Sequence, residues 1–273
     1  MGNTPKVVLI TGTSSGFGSA IGKTLSAKGY RVFGTARTPR ANVSEGFTTL
    51  TLDVTQDASV AACVAEVIRA AGRIDAVINN AGIAIAGAIE DTTAAEAQTQ
   101  FETNFFGTHR MCRAVLPHLR AQRAGHIINM SSLAGRIPLP FQGFYSATKF
   151  AIEAYTEALR MEVRPFGIAV SMVEPGDFAT ALTANRRIST ETLPTSPYSE
   201  SFARALAIIR RDEQANGDLS PVVGAVEAIL GSRRPALRYP RAIVAQRAFN
   251  AVRPFLPQAL CEYMIRDAYG PKS

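Results

Sequence analysis

Tyr145 and Lys149 stand four residues apart in a stretch where Ile152, Tyr155 and Leu159 keep a helical period, so both side chains leave one helix face. An isolated phenol ionises near pH ~10, too high for a base at neutral pH, but a neighbouring ammonium favours the phenolate and lowers that value. A phenol so placed can give a proton to a carbonyl oxygen, or remove one from an alcohol in the reverse direction. Taken alone, such a pair is more often a surface pair on a solvated helix face. Thirteen residues upstream, Ser132 follows an apolar run and offers a hydroxyl that could hold the same oxygen from the other side. Its neighbour Ser131 competes for that role, and either hydroxyl could simply cap a turn. Asn104 lies inside an apolar helical stretch, where Asn is a poor helix former. It either caps a break in that helix or holds a water that connects Lys149 to solvent.

A second group of residues sits near the start of the chain, where 11–18 read Thr-Gly-Thr-Ser-Ser-Gly-Phe-Gly directly after an apolar run. Gly12, Gly16 and Gly18 allow a tight strand-to-helix turn, with Ser14, Ser15 and Phe17 between them. That turn would bring backbone amides and a helix N-terminus to a pyrophosphate. A tight turn with no ligand is the plain alternative. No Lys-Ser/Thr pair closes the motif, so a nucleotide-hydrolysing loop is disfavoured and dinucleotide binding leads. An NAD-preferring site would place an acid on the ribose 2′-hydroxyl about twenty residues later. Residues 31–43 contain neither Asp nor Glu. Arg37 could instead grip a 2′-phosphate with help from Ser15, and the pattern reads as NADP(H) preferred over NAD(H).

These side chains need a scaffold, and the chain supplies one in alternating pieces. Short apolar runs at 7–10, 31–35, 48–52, 76–78, 126–130 and 168–173 alternate with segments of helical period, such as Phe17, Ile21 and Leu25, or Val60, Val64 and Ile68. Apolar strands without two-fold alternation, separated by helices, predict an α/β fold. Its form is a single Rossmann-like domain over 1–273, a doubly wound parallel sheet with helices on both faces. Residues 183–219, rich in Ser, Thr and Pro before a helical stretch, read as a mobile substrate lid. The basic amphipathic segment at 240–273 predicts a last strand near Leu237 and a covering helix, with Pro240 and Pro257 each placed to open a helix.

With 47% apolar and 19% charged residues, the chain is built to bury a core. The first residues show no secretory pattern, and three cysteines without ligand spacing suggest neither a disulfide framework nor a metal site. A cytoplasmic protein is expected. The net charge of +7 is spread among apolar residues rather than gathered in a run, so a solvated helix face is preferred to a nucleic-acid surface. Peripheral membrane contact through 240–273 is possible in principle, but packing on the sheet or on another subunit is favoured.

The turn at 11–18 is similar to that of the short-chain dehydrogenase/reductase family, and four more segments resemble it in order: Asn79-Asn80-Ala81-Gly82, Asn104, Ser132 with Tyr145-Ser-Ala-Thr-Lys149, and Pro175-Gly176. The wording of 130–180 is closest to the hydroxysteroid and retinol dehydrogenase branch. The resemblance implies Tyr145 as acid/base, Lys149 as its partner and ribose ligand, Ser132 as the carbonyl-orienting hydroxyl and Asn104 as holder of a relay water. It places Asp53 and Val54 beside the adenine, Asn80, Ala81 and Gly82 along the cofactor, and Pro175, Gly176, Phe178 and Thr180 around the nicotinamide. It also implies a homodimer or homotetramer through the fourth and fifth helices. Leu133, Leu139, Phe141, Phe144 and Phe178 would wall a site for a small but bulky apolar carbonyl or alcohol of steroid, retinoid or aryl-ketone type, although core packing explains each of them separately. A cofactor-binding regulator or scaffold without turnover is the alternative, and the intact Ser132, Tyr145 and Lys149 speak against it.

Overall fold

The computed structural model describes residues 5–38, 46–191 and 195–269. Its strands are β1 (Val7–Ile10), β2 (Arg31–Ala36), β3 (Thr48–Thr51), β4 (Ala76–Asn79), β5 (Ile85–Ala86), β6 (Gly125–Met130), β7 (Ile168–Pro175), β8 (Arg187–Ile188) and β9 (Arg238–Arg241). Seven of them form one sheet in the order β3-β2-β1-β4-β6-β7-β9, and every neighbouring pair in it is parallel. The winding reverses between β1 and β4, and in such sheets ligands collect at the carboxyl ends of the strands beside the reversal.

Both faces of the sheet are covered, which is why β1 and β4 are buried at every residue. On one face lie α1 (Gly16–Ala27) and α8 (Ser220–Gly231), whose Ile21, Leu25, Val226 and Ile229 pack on Val8, Ile10 and Ile78. On the other lie α2 (Asp57–Ala71), α4 (Gly107–Gln122) and α5 (Gly143–Val163), through Val60, Val64, Met111, Val115 and Leu159. Fully burying an aliphatic side chain of this size is worth about 1.5–3 kcal/mol. Ile21 and Leu25 therefore hold the N-terminus of α1 firmly at the end of β1. The remaining helices are α3 (Ala94–Phe101), α6 (Ala181–Ala184), α7 (Ser199–Gln214), α9 (Val244–Val252) and α10 (Gln258–Tyr269).

The doubly wound sheet agrees with the sequence reading, as does a last strand beside Leu237. Two expectations are corrected. The 183–219 segment is not a long loop: it contains the end of α6 and the whole of β8 and α7, and β8 pairs with β5 in a separate two-stranded ladder. Phe202, Ala205, Leu206 and Ile209 repeat at three and four along α7 and are buried. Ser189 is buried as well, donating to the Asp91 carbonyl. Residues 192–194 of this segment lie outside the described residues. The second correction is Pro240, which sits inside β9 at the sheet edge, where a missing N–H costs no ladder bond, and opens no helix. Pro257 does precede α10, its carbonyl accepting from Leu260 and Cys261.

Segment 240–269 folds back on its own chain: Arg253 donates to the Arg136 carbonyl and Gln246 to the Asp177 carboxylate. Its outer side leaves Val244 and Phe255 exposed. No helix among the described residues is long and apolar enough to cross a membrane.

Candidate active site

The turn after β1 is shaped by glycine. Gly12 and Gly16 take positive φ of 71° and 56°, a region costly for other residues. A Cβ on Gly18 would come within 2.5 Å of Asn80 Nδ2. That amide is committed: Asn80 Nδ2 donates to the carbonyls of Thr11 and Gly12, both at 2.9 Å. Asn80 and Ala81 N–H groups donate in turn to Thr11 Oγ1, each at 2.9 Å. The loop after β4 thus braces the turn after β1. Ser15 precedes α1 in extended conformation without capping it, so the first helical amides are left for a ligand. Their dipole favours an anion there.

One cavity of about 650 Å³ runs along the carboxyl ends of the strands. Gly12, Ser14, Ser15, Gly16 and Phe17 line it at one side, Arg37, Asp53 and Val54 at the far end, and Asn80, Ala81 and Gly82 along its floor. Ser132, Tyr145, Lys149, Asn104, Pro175, Gly176, Phe178 and Thr180 line the other end. Uncapped amides, glycines where a side chain would collide, and this elongated shape fit a dinucleotide. Gly18 does not face the cavity; it is glycine so that Asn80 can pack on the turn. Arg37 is exposed at the rim, close enough for its charge to help hold the Asp53 carboxyl low, although the larger cause is the Thr55 amide, 2.9 Å from Asp53 Oδ1.

Tyr145 and Lys149 leave α5 on one face. Lys149 Nζ lies 5.7 Å from the Tyr145 ring centroid and donates to the Met130 carbonyl at 2.8 Å. Burial pushes the Tyr145 phenol up to about 12, against a hydrogen bond with Ser132 and the field of Arg186. Loss of water outweighs these favourable contacts, so the phenol stands above its ordinary value rather than below it. Burial also brings Lys149 itself down to about 8, opposed by the Glu153 carboxylate.

Ser132 accepts from the Ala134 amide at 3.1 Å and donates to the Pro175 carbonyl at 3.3 Å, so it caps a 3₁₀ turn and faces the cavity at once. Ser131 also reaches the cavity wall, but its hydroxyl turns towards Glu153 and Gly135. Asn104 occupies a π-helical turn, Glu102–Phe106, between α3 and α4, the kind of local break that often marks a functional site. Its side chain clasps Ile83, accepting from the amide at 2.8 Å and donating to the carbonyl at 3.0 Å, and reaches Thr148 Oγ1 at 3.2 Å. This ties the loop after β4 to the helix bearing Tyr145.

The expected apolar wall is only partly present. Leu139 and Phe178 line the cavity, and Phe178 packs edge-on against Phe17 with centroids 5.4 Å apart. Leu133, Phe141 and Phe144 do not line it. Leu133 is buried as the first residue of the 3₁₀ turn, and Phe141, at φ +61°, turns its ring to Phe202 of α7, 5.7 Å away. In their place stand residues the sequence reading did not weigh: Gln142, Asp177, Asn185, Arg186 and Glu213. Arg186 and Glu213 form a buried ion pair. Asp177 adjoins Gly176, and a carboxylate directly after the Pro175-Gly176 pair was a readable signal. The Arg186–Glu213 pair joins residues 27 apart through the docking of α7, which spacing alone does not reveal.

Behind the site, Glu153 of α5 and Glu174 of β7 share the Arg238 guanidinium, with Glu174 Oε1 at 2.5 Å, and Arg238 also reaches Glu157. Burial and the neighbouring Glu174 charge hold the Glu153 carboxyl above the usual carboxylate range.

Residues 6–191 match the family described as short chain dehydrogenase. The chain is 43% identical to a 3-ketodihydrosphingosine reductase of Bacteroides thetaiotaomicron, over 97% of this chain and 98% of that protein. It is 34% identical to retinol dehydrogenase 8 of Homo sapiens, over 87% of this chain and 82% of that protein. The crystal structure of a short-chain dehydrogenase from Streptomyces avermitilis superposes with a TM-score of 0.82 at 33% identity, covering 97% of each chain. With the parallel sheet, the glycine turn and the clustered Ser132, Tyr145 and Lys149, this chain belongs to the short chain dehydrogenase family, oxidoreductases that act on CH–OH or C=O groups with a nicotinamide cofactor.

Proposed function

We propose that the chain is an NADPH-dependent reductase of long-chain ketones with a polar head, of the 3-ketodihydrosphingosine kind. The observation that carries the substrate reading is the lining beyond Tyr145, where Asp177, Asn185, Arg186 and Glu213 share a cavity with Ile83, Leu139 and Leu182. A polar head joined to a hydrocarbon tail satisfies both sets. A wholly apolar retinoid or steroid skeleton would press hydrocarbon on charged groups, a costly arrangement. The likeness to the Bacteroides reductase, which spans nearly the whole of both chains, supports the same choice.

In this reading the bound nicotinamide supplies the hydride. Ser132 Oγ and the Tyr145 hydroxyl hold the carbonyl oxygen, and Tyr145 gives it a proton as the carbon is reduced. Lys149 holds the ribose and keeps a positive charge beside the phenol, while Asn104 holds the relay water that returns a proton to the site. Arg37 takes the 2′-phosphate, and neither of the two described residues directly after β2, Arg37 and Thr38, is an acid that would repel it.

Initial rates with NADPH and NADH on 3-ketodihydrosphingosine, retinal, a steroid ketone and an aryl ketone test this. We expect the highest kcat/KM for the first substrate with NADPH, and Arg37→Ala should weaken NADPH by roughly ten- to a hundredfold while sparing NADH. Faster turnover of retinal or the steroid would overturn the substrate assignment. Equal loss of both cofactors in Arg37→Ala would remove the NADPH preference.

A further inference from the structure

Asp177 follows Gly176 directly after β7 and faces the same cavity as Ser132 and Tyr145. Among the described residues no Lys or Arg nitrogen stands within ion-pair distance of it. Its hydrogen bond comes from Gln246 of α9, a neutral amide that fixes the carboxylate without balancing its charge. Arg186, the cation on the same wall, is already committed to Glu213. A carboxylate held half-buried beside a substrate site without a cation is a poor solution to packing alone, since buried charges are normally paired. A substrate cation would complete it.

We propose that Asp177 is the anchor for a substrate ammonium group on the carbon next to the reacting carbonyl, which makes it the residue that selects 2-amino ketones. The assignment rests on the long-chain substrate reading above and sharpens it. In 3-ketodihydrosphingosine the amine is one carbon from the ketone, so an anchor must lie close to the proton donor. Asp177 meets this: it lies two residues beyond Pro175, whose carbonyl accepts from Ser132 Oγ at 3.3 Å, and it lines the same cavity as Tyr145. Burial and the nearby Asp212 hold the Asp177 carboxyl above its ordinary range, more than Gln246 and Arg186 offset, so the site is short of positive charge until an ammonium enters. The ammonium then serves twice, as a charge-assisted donor to Asp177 and as a positive charge beside the oxygen that becomes negative in the reduction. No bond is made or broken at Asp177, which only binds and orients.

The test uses the full chain with saturating NADPH and three ketones of equal length: the 2-amino-1-hydroxy-3-ketone, its N-acetyl derivative and the analogue without nitrogen. The wild type should prefer the free amine by roughly ten- to a hundredfold in kcat/KM over both neutral compounds. Asp177→Asn should bring that ratio close to one, and Asp177→Glu should restore part of it. NADPH binding, followed by fluorescence, checks that each variant is folded, and the comparison of free with acetylated amine in the wild type needs no variant. If the wild type reduces none of the three, the substrate reading itself falls and the anchor falls with it. If the wild type reduces the amino ketone no better than the neutral pair, or if Asp177→Asn lowers all three alike, the anchor is overturned while the long-chain reading stands. Equal lowering would mean that Asp177 serves the cofactor.

Discussion

Tyr145 holds its proton through the neutral range because burial raises its phenol to about 12, whereas Lys149 loses charge near 8. Reduction needs the phenol and oxidation the phenolate, so the two directions should part with pH. Carbonyl reduction should stay level through neutral pH and fall on the alkaline side, first as Lys149 deprotonates. Alcohol oxidation should climb as pH rises, and initial rates in both directions across a buffer series read this. A reduction rate that rises towards alkaline pH would contradict it. Tyr145→Phe should keep NADPH binding and lose roughly 10²- to 10⁴-fold in kcat. Ser132→Ala should cost more than Ser131→Ala, since the Ser132 hydroxyl faces the cavity with Tyr145 while that of Ser131 turns towards Glu153. That Ser132, Tyr145 and Lys149 share one cavity was legible because their spacing follows from one helix, one turn and one strand end. Their ionisation was not, because desolvation depends on what covers Tyr145, and the chain order of neighbours does not tell how much water is left.

α7 shows what periodicity offers at the scale of an element and where composition misleads. Ser, Thr and Pro at 195–201 announce a loop, but the apolar period of Phe202, Ala205, Leu206 and Ile209 just beyond decides the outcome. Docked on Phe141 and Ala86, the helix brings Glu213 to Arg186 and closes one wall of the cavity. Phe202→Ala removes a buried ring, a change that typically costs about 3–5 kcal/mol. Because α7 lies outside the main sheet, that loss should be local. Amide exchange should quicken across Ser199–Gln214 while β1, β4 and β6 stay protected, and KM for the ketone should rise with NADPH affinity unchanged. Uniform acceleration over the whole sheet would count against it. The ladder of β5 and β8 escaped the sequence reading because two residues per strand are too few to show any period.

Across the whole molecule, the parallel sheet could be read from apolar runs alone, because strands covered on both faces have no polar side to show. The closure of the site from behind could not be read in this way. Glu153, Glu174 and Arg238 are distant in sequence and meet only because β9 joins the sheet beside β7. Arg238→Met should cost about 3–5 kcal/mol, measured by urea unfolding, because it leaves two carboxylates buried without a cation. Adding Glu153→Gln and Glu174→Gln should recover much of that loss. The same arrangement bears on the order of events during synthesis. Every residue proposed for catalysis precedes residue 181, yet the helix that carries Tyr145 and Lys149 has unbalanced negative charge beneath it until β9 has been made. A nascent chain tethered to the ribosome with β9 still inside the exit tunnel would hold the complete catalytic set and remain a poor enzyme, gaining NADPH binding and turnover together when Arg238 emerges.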